Sequence, residues 1–261
     1  MSMTEAGYNP ASAGAGSSAD FGPDVGNQEA WSGRMPPQDD VAEQSVLGAI
    51  LIDRDAIVEV AEFLTAVTQA RLNVVIGGAT KAGKTTLLRA FASAIDPRER
   101  IITIEKAREL GLRKDRDRHP NCVEFEERIP NAEGLGAVTI RNLVRRTLRQ
   151  NPDRVIVGEV LGPEIIDMLN AMSQGNDGSL STIHCDGARD AFNRMATYAI
   201  QAAERLPHEA TYRLIAGALD YIVFIKQDPR TGRRRVETVL EVNGYDDGQV
   251  LSSEIFAVRR G

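Results

Sequence analysis

Cysteine is scarce in this chain of 261 residues, and long apolar runs and positive charge excess are missing. Cys122 and Cys185 stand far apart, and neither has a second cysteine at metal-ligand spacing. That argues against a zinc site and fits reduced thiols in a cytosolic protein. Net charge is −6, so the whole molecule is not a nucleic-acid binder by charge alone, although local basic patches remain open. The longest apolar run, Val46 to Ile52, is far too short to span a membrane. The N-terminus lacks the basic start and apolar core of a signal peptide, so a membrane role is expected to go through a partner. What remains is an ordinary soluble composition, long enough for one good-sized α/β domain or two small ones.

Residues 1–39 are rich in Gly, Ala, Ser, Pro and Asn and hold little that could build a core. They are expected to be a disordered tail, with Trp31 incidental. Order is expected from Asp40, which has capping-box spacing to Glu43. Val46, Leu47, Ile50 and Leu51 then share a helical stripe, and a second helix is expected from Ala56 to about Ala70. From Leu72 onward short β-branched runs alternate with helical stretches: 72–76, 100–104, 123–125, 155–157, 181–183 and 221–225. That alternation predicts an α/β fold with a mostly parallel, helix-covered sheet. Two further runs, 235–242 and 252–258, flank Asn243-Gly244-Tyr245-Asp246-Asp247-Gly248 and predict a C-terminal antiparallel β-hairpin.

The densest chemistry lies in GATKAGKTT, residues 78–86, between the apolar run ending at Ile76 and the helical LLRAFASAI. Strand, glycine loop and helix in that order make a phosphate cradle: Gly78, four residues, then Gly83-Lys84-Thr85. Glycines let the backbone wrap an anion, and the helix adds its positive dipole end. The predicted nucleotide-binding residues are Gly78, Ala79, Thr80, Lys81, Ala82, Gly83, Lys84, Thr85 and Thr86. Lys84 would reach the β- and γ-phosphates, and the Thr85 hydroxyl would ligate Mg²⁺.

Hydrolysis needs carboxylates at neighbouring strand ends. Glu159 follows Val155-Ile156-Val157-Gly158, and Glu105 follows Ile101-Ile102-Thr103-Ile104. Each could instead merely begin a helix, where negative charge is favourable. Glu159 is the expected Mg²⁺ partner through water, and either acid could orient the attacking water. His184 ends Ser181-Thr182-Ile183; it is either structural or a γ-phosphate sensor. Arg141, Arg145 and Arg149 fall at i, i+4, i+8 beside the apolar Ile140, Val144 and Leu148. They read as a solvated cationic face, or as a source of phosphoryl-stabilising charge, including for a neighbouring subunit. Arg233-Arg234-Arg235 reads as a solvated turn.

Together these residues resemble the secretion and pilus-assembly ATPase superfamily of type II and type IV secretion, with the tight-adherence pilus branch fitting best. Four segments carry the resemblance across residues 66 to about 257: GGATKAGKTTLLRAF, ITIEKARELGL, VTIRNLVRRTLRQNPDRVIVGEVLGPEIIDMLNAMSQGNDGSLSTIH and LIAGALDYIVFI. The resemblance implies a RecA-like P-loop NTPase domain over 66–261. Lys84 and Thr85 would be its Walker A lysine and Mg²⁺ ligand, Glu105 its Asp-box acid, Glu159 its Walker B acid and His184 part of its His box. Relatives often have Glu-Asp where this chain has Glu105-Lys106, and His where it has Asn176, which is read as loop structure. The implied cofactors are ATP and Mg²⁺. The implied assembly is a homo-hexamer at the cytoplasmic face of the inner membrane, held there by secretion or pilus-assembly proteins without inserting itself. Nucleic acid is not an expected partner.

Residues 34–64 instead resemble the start of a replicative helicase N-terminal domain. They stand where the family's nucleotide-closing N-terminal domain is expected, which suggests a fusion joined near Glu62-Phe63-Leu64 and weak turnover in isolation. Two further readings follow: a nucleotide-binding module without useful catalysis, and a helicase fragment that would bind DNA with a steep salt dependence.

Overall fold

The computed structural model describes residues 54–258. The expected disordered tail over 1–39, the Asp40–Glu43 box, the helix around Val46–Leu51 and the first twenty residues of the helicase-like segment lie outside them.

Helix α1 (Arg54–Gln69) forms where the periodicity predicts it. It runs unbroken through residues 62–64, where the sequence suggests a joint. Its Leu64 and Val67 are buried, and they join a core cluster with Leu87, Leu88 and Phe91 of α2 (Lys84–Ser93). Strands β1 (Val74–Gly77), β2 (Ile101–Glu105) and β5 (Leu180–Ile183) are buried at every position. β3 (Cys122–Glu126) and β4 (Arg154–Val160) complete the first half of the sheet. Strands covered on both faces need continuous apolar runs, which is why these read so clearly in sequence.

The sheet has eight strands in the order β3-β2-β4-β5-β1-β6-β7-β8. The first six run parallel, and β6 (Tyr221–Gln227), β7 (Arg234–Asp246) and β8 (Gln249–Ala257) form an antiparallel wing. Alternate side chains supply two cores. Val74, Ile76 and Ile156 meet α1 and α2 on one face. Val75, Val155 and Val157 meet α3 (Ile140–Thr147), α4 (Glu164–Ser173), α5 (Asp190–Gln201) and α6 (His208–Ala218) on the other. β1 thus lies between β5 and β6 in the middle of the sheet, and open α/β sheets of this kind bind ligands outside their strand carboxyl ends.

One turn differs from expectation. Asn243-Gly244 signals a reversal, yet both residues lie inside the 13-residue β7. The register shifts between Val242 and Gly244, and Gly244 has φ 124°, so the glycine makes a bulge. The reversal itself is Asp247-Gly248, both at positive φ.

At the amino ends of the strands a buried ion pair ties the layers together. Arg154 is 1% exposed; its Nε and Nη2 each donate to Glu99 at 2.7 Å, and its Nη1 donates to Gly178 O. Arg71, just past α1, reaches the same carboxylate at 3.2 Å and donates to Asp153 O. Removing one partner of a buried pair leaves the other charge without compensation. Arg154→Ala is therefore expected to lower unfolding stability by about 3–5 kcal/mol. The check is urea denaturation, where the midpoint should fall at unchanged slope, and Arg154→Met with Glu99→Gln should recover most of the loss.

Candidate active site

The loop between β1 and α2 is shaped by its glycines. A Cβ at Gly78 would lie 2.5 Å from Ile225 O, so the loop can pass β6 only without a side chain there. Gly83 caps α2 at φ 100°, a left-handed conformation, and makes no side-chain cap hydrogen bond. The first N–H groups of α2 are thus left for an anion.

Lys84 is buried at the floor of this loop, 7% exposed. Its Nζ donates to Gly78 O at 3.2 Å and Ala79 O at 3.3 Å. It lies 3.2 and 3.3 Å from the two ring nitrogens of His184 and 3.7 Å from Glu159 Oε1. His184 Nε2 is 2.8 Å from the same Glu159 oxygen. Burial lowers the Lys84 pKa, and the Glu159 carboxylate opposes that shift.

Glu105 comes from the end of β2 and is 3% exposed. Its Oε1 accepts the backbone N–H groups of Glu109 and Leu110, both at 3.0 Å. Its Oε2 is buried with no hydrogen-bond partner among the described residues. Burial raises its pKa, against the two backbone hydrogen bonds. Gly158 explains how Glu105 lies so close to β4: a Cβ there would fall 2.9 Å from Glu105 Cγ. Gly77 likewise leaves room for Cys185, whose Sγ would be 2.6 Å from a Cβ. Burial pushes the Cys185 thiol up to about 11 and the Cys122 thiol up to about 12, so both are unreactive at neutral pH.

These groups border a cavity of about 570 Å³ at the carboxyl ends of β1, β2, β4 and β5. Of the residues singled out in sequence, Thr80, Lys81, Gly83, Lys84, Thr85, Thr86, Glu105, Glu159 and His184 line it. Gly78 and Ala82 are buried behind the loop, and Ala79 contributes its carbonyl to Lys84. The donors suit Mg²⁺, which takes hard oxygens and few protein ligands. Thr85 offers a hydroxyl at the head of α2, Glu159 a carboxylate and Glu105 an orphaned buried oxygen.

The three arginines on and after α3 do not line the cavity. The helix stops at Thr147, and Arg149 falls in a 3₁₀ turn, Leu148–Gln150, which breaks the i+8 register. Arg141 is largely covered, whereas Arg145 stays exposed, so the face is solvated only in part. Each donates Nε to Asp167 at 2.6 Å, and both reach Glu204. Asn176 is loop structure, donating to Pro152 O at 2.8 Å.

Three charged lining residues escaped the sequence reading as site residues. Glu109 Oε2 accepts from Thr85 Oγ1 at 3.4 Å; its i+4 spacing from Glu105 was the available signal. Lys106 lines the cavity beside it. Arg234 is exposed, but it lies in a strand rather than a turn: it opens β7, lines the cavity and donates Nε to Lys81 O at 3.0 Å. Nothing local in sequence links positions 153 residues apart.

The family model of type II/IV secretion system proteins matches residues 56–241. The chain belongs to that family. A Mycobacterium tuberculosis protein named for conjugal transfer is 37% identical over 226 residues, 87% of this chain and 60% of its own length. The type IV secretion system protein PtlH of Bordetella pertussis is 34% identical over 67% of this chain and 51% of its own. The crystal structure of the Brucella suis type IV secretion ATPase VirB11, in complex with sulphate, superposes with TM-score 0.63. It is 29% identical, over 76% of this chain and 57% of that one. The Legionella pneumophila ATPase DotB superposes with TM-score 0.52 at 25% identity, over 73% of this chain and 49% of that one. The chain spans about 60% of the length of the Mycobacterium relative and about half of the PtlH relative.

The raised pKa of Glu105 has a sign for stability. A carboxyl group whose pKa rises on folding stabilises the fold while protonated, and that contribution is lost as pH climbs through the raised value. Ionised Glu105 therefore weakens the nucleotide-free fold. Glu105→Gln is expected to gain in melting temperature over wild type as pH rises above the ordinary glutamate range and to differ little in acid, as thermal melts across pH would show.

Proposed function

We propose that the chain is the ATP-hydrolysing motor domain of a type II or type IV secretion or pilus-assembly machine. The observation that carries this reading is the convergence of Lys84, Thr85, Glu105, Glu159 and His184 on one cavity beside a glycine loop and a free helix start. The names of its relatives support the same class of machine.

In this reading Lys84 faces the β- and γ-phosphates, and the loop amides enclose them. Thr85 directly and Glu159 through water would hold Mg²⁺, which would supply charge neutralisation on the phosphate oxygens. Glu105 is fixed through Oε1, so its unpartnered Oε2 is the group that orients water and accepts its proton. His184 shares the Glu159 carboxylate with Lys84, so it responds when the γ-phosphate leaves.

No arginine of α3 reaches this cavity. Arg234 is the arginine that lines it among the described residues, so a further phosphoryl-stabilising arginine from a neighbouring copy would fit a homo-hexamer and weak turnover by the single chain. No described helix is long and apolar enough to cross a membrane, so attachment to the inner face would go through partner proteins.

Glu159→Gln is expected to keep ATP binding and to slow phosphate release about a hundredfold or more. Wild-type turnover per chain should rise with protein concentration. A folded wild type that releases no phosphate at any concentration would favour a binding module without catalysis.

A further inference from the structure

One cationic side chain of the cavity comes from the antiparallel wing. β6 runs beside β1 with Gly77 opposite Phe224, then continues three residues past the end of β1. It returns as β7 with Gln227 opposite Arg234. Three residues of strand carry the hairpin roughly 10 Å beyond the level of Gly77, over the glycine loop. The reversal is braced internally. Asp228 N–H donates to Arg233 O and Gly232 N–H to Asp228 O, each at 2.8 Å, and Asp228 Oδ1 accepts from the backbones of Arg230 and Thr231.

Arg234 therefore leaves a rigid hairpin at a fixed place. Its Nε is held on Lys81 O at 3.0 Å. Its Cδ would lie 2.9 Å from a Cβ at Gly83, so a glycine there admits the side chain. Its Nη nitrogens have no hydrogen-bond or ion-pair partner among the described residues, although the residue lines the cavity. An arginine anchored through Nε, with two free donors at the wall of a phosphate cradle, has the geometry of an anion clamp.

We propose that Arg234 is a phosphate-binding residue of this site, reaching the tail of a nucleoside di- or triphosphate from the antiparallel wing. It rests on the nucleotide reading of the cavity. Its consequence is mechanical: bound phosphate adds a second tie between the β6–β7 hairpin and the glycine loop, beside the hydrogen bond to Lys81 O, and loss of that anion removes it. Arg235 lines a separate depression with Lys226, Asp228 and Glu237, and it serves as the neighbouring control.

The test is calorimetric titration of the full chain with Mg-ATP and Mg-ADP. Arg234→Gln keeps a donor for Lys81 O but carries no charge. It should bind about tenfold more weakly than wild type at low salt, with a smaller loss at high salt. Arg234→Lys should recover part of that affinity, Arg235→Gln should match wild type, and all three should melt like wild type without nucleotide. Arg234→Gln binding both nucleotides as tightly as wild type would overturn the proposal while leaving the nucleotide reading intact. A folded wild type that binds neither nucleotide would overturn both.

Discussion

A buried ammonium group must be answered by oxygen atoms and negative charge, and Lys84 imposes that demand on the whole site. Its Nζ is enclosed by two loop carbonyls, a histidine ring and a carboxylate, drawn from three stretches of chain. An arrangement of this kind costs desolvation that hydrophobic packing would not incur. It requires β1, β4 and β5 to end at the same level, which adjacent parallel strands do. An anion entering the cavity would take over the role that Glu159 and the carbonyls play around Lys84. The site is thus electrostatically poised for phosphate.

The same economy of space governs the glycines. Gly77, Gly78, Gly83 and Gly158 each stand where a methyl group would strike a neighbour within 3 Å. Three of them make room for side chains, Cys185, Arg234 and Glu105 respectively, and Gly78 makes room for a β6 carbonyl. The cavity is therefore bounded by close approaches between strands, and few side chains in its walls can be enlarged without moving a functional group.

The parallel half of the fold was legible because its strands are buried on both faces and so leave unbroken β-branched runs such as Ile101 to Ile104. The glycine loop, both strand-end acids and His184 were legible for a related reason: strand ends are where an apolar run stops at a polar residue. The antiparallel wing was harder. Asn243-Gly244 carries a strong turn signal that the sheet absorbs as a bulge, since β8 pairs on both sides of it. The arginines beside α3 were misplaced because helical spacing was extended past the actual helix end at Thr147. Their acidic partners, Asp167 and Glu204, lie 22 and 63 residues away for the pairs concerned, beyond any local pattern. Arg234 was missed because a hairpin return, set by pairing with β6, carries it over the loop.

The central claim is that Lys84 and the loop around it hold the phosphates of a nucleotide. Calorimetric titration of the wild type and Lys84→Ala with Mg-ATP tests it most directly. The account predicts saturable binding by the wild type and at least a tenfold loss in Lys84→Ala with the fold retained. Wild-type protein that is folded yet gives no binding heat, or Lys84→Ala that binds as tightly as wild type, would contradict it.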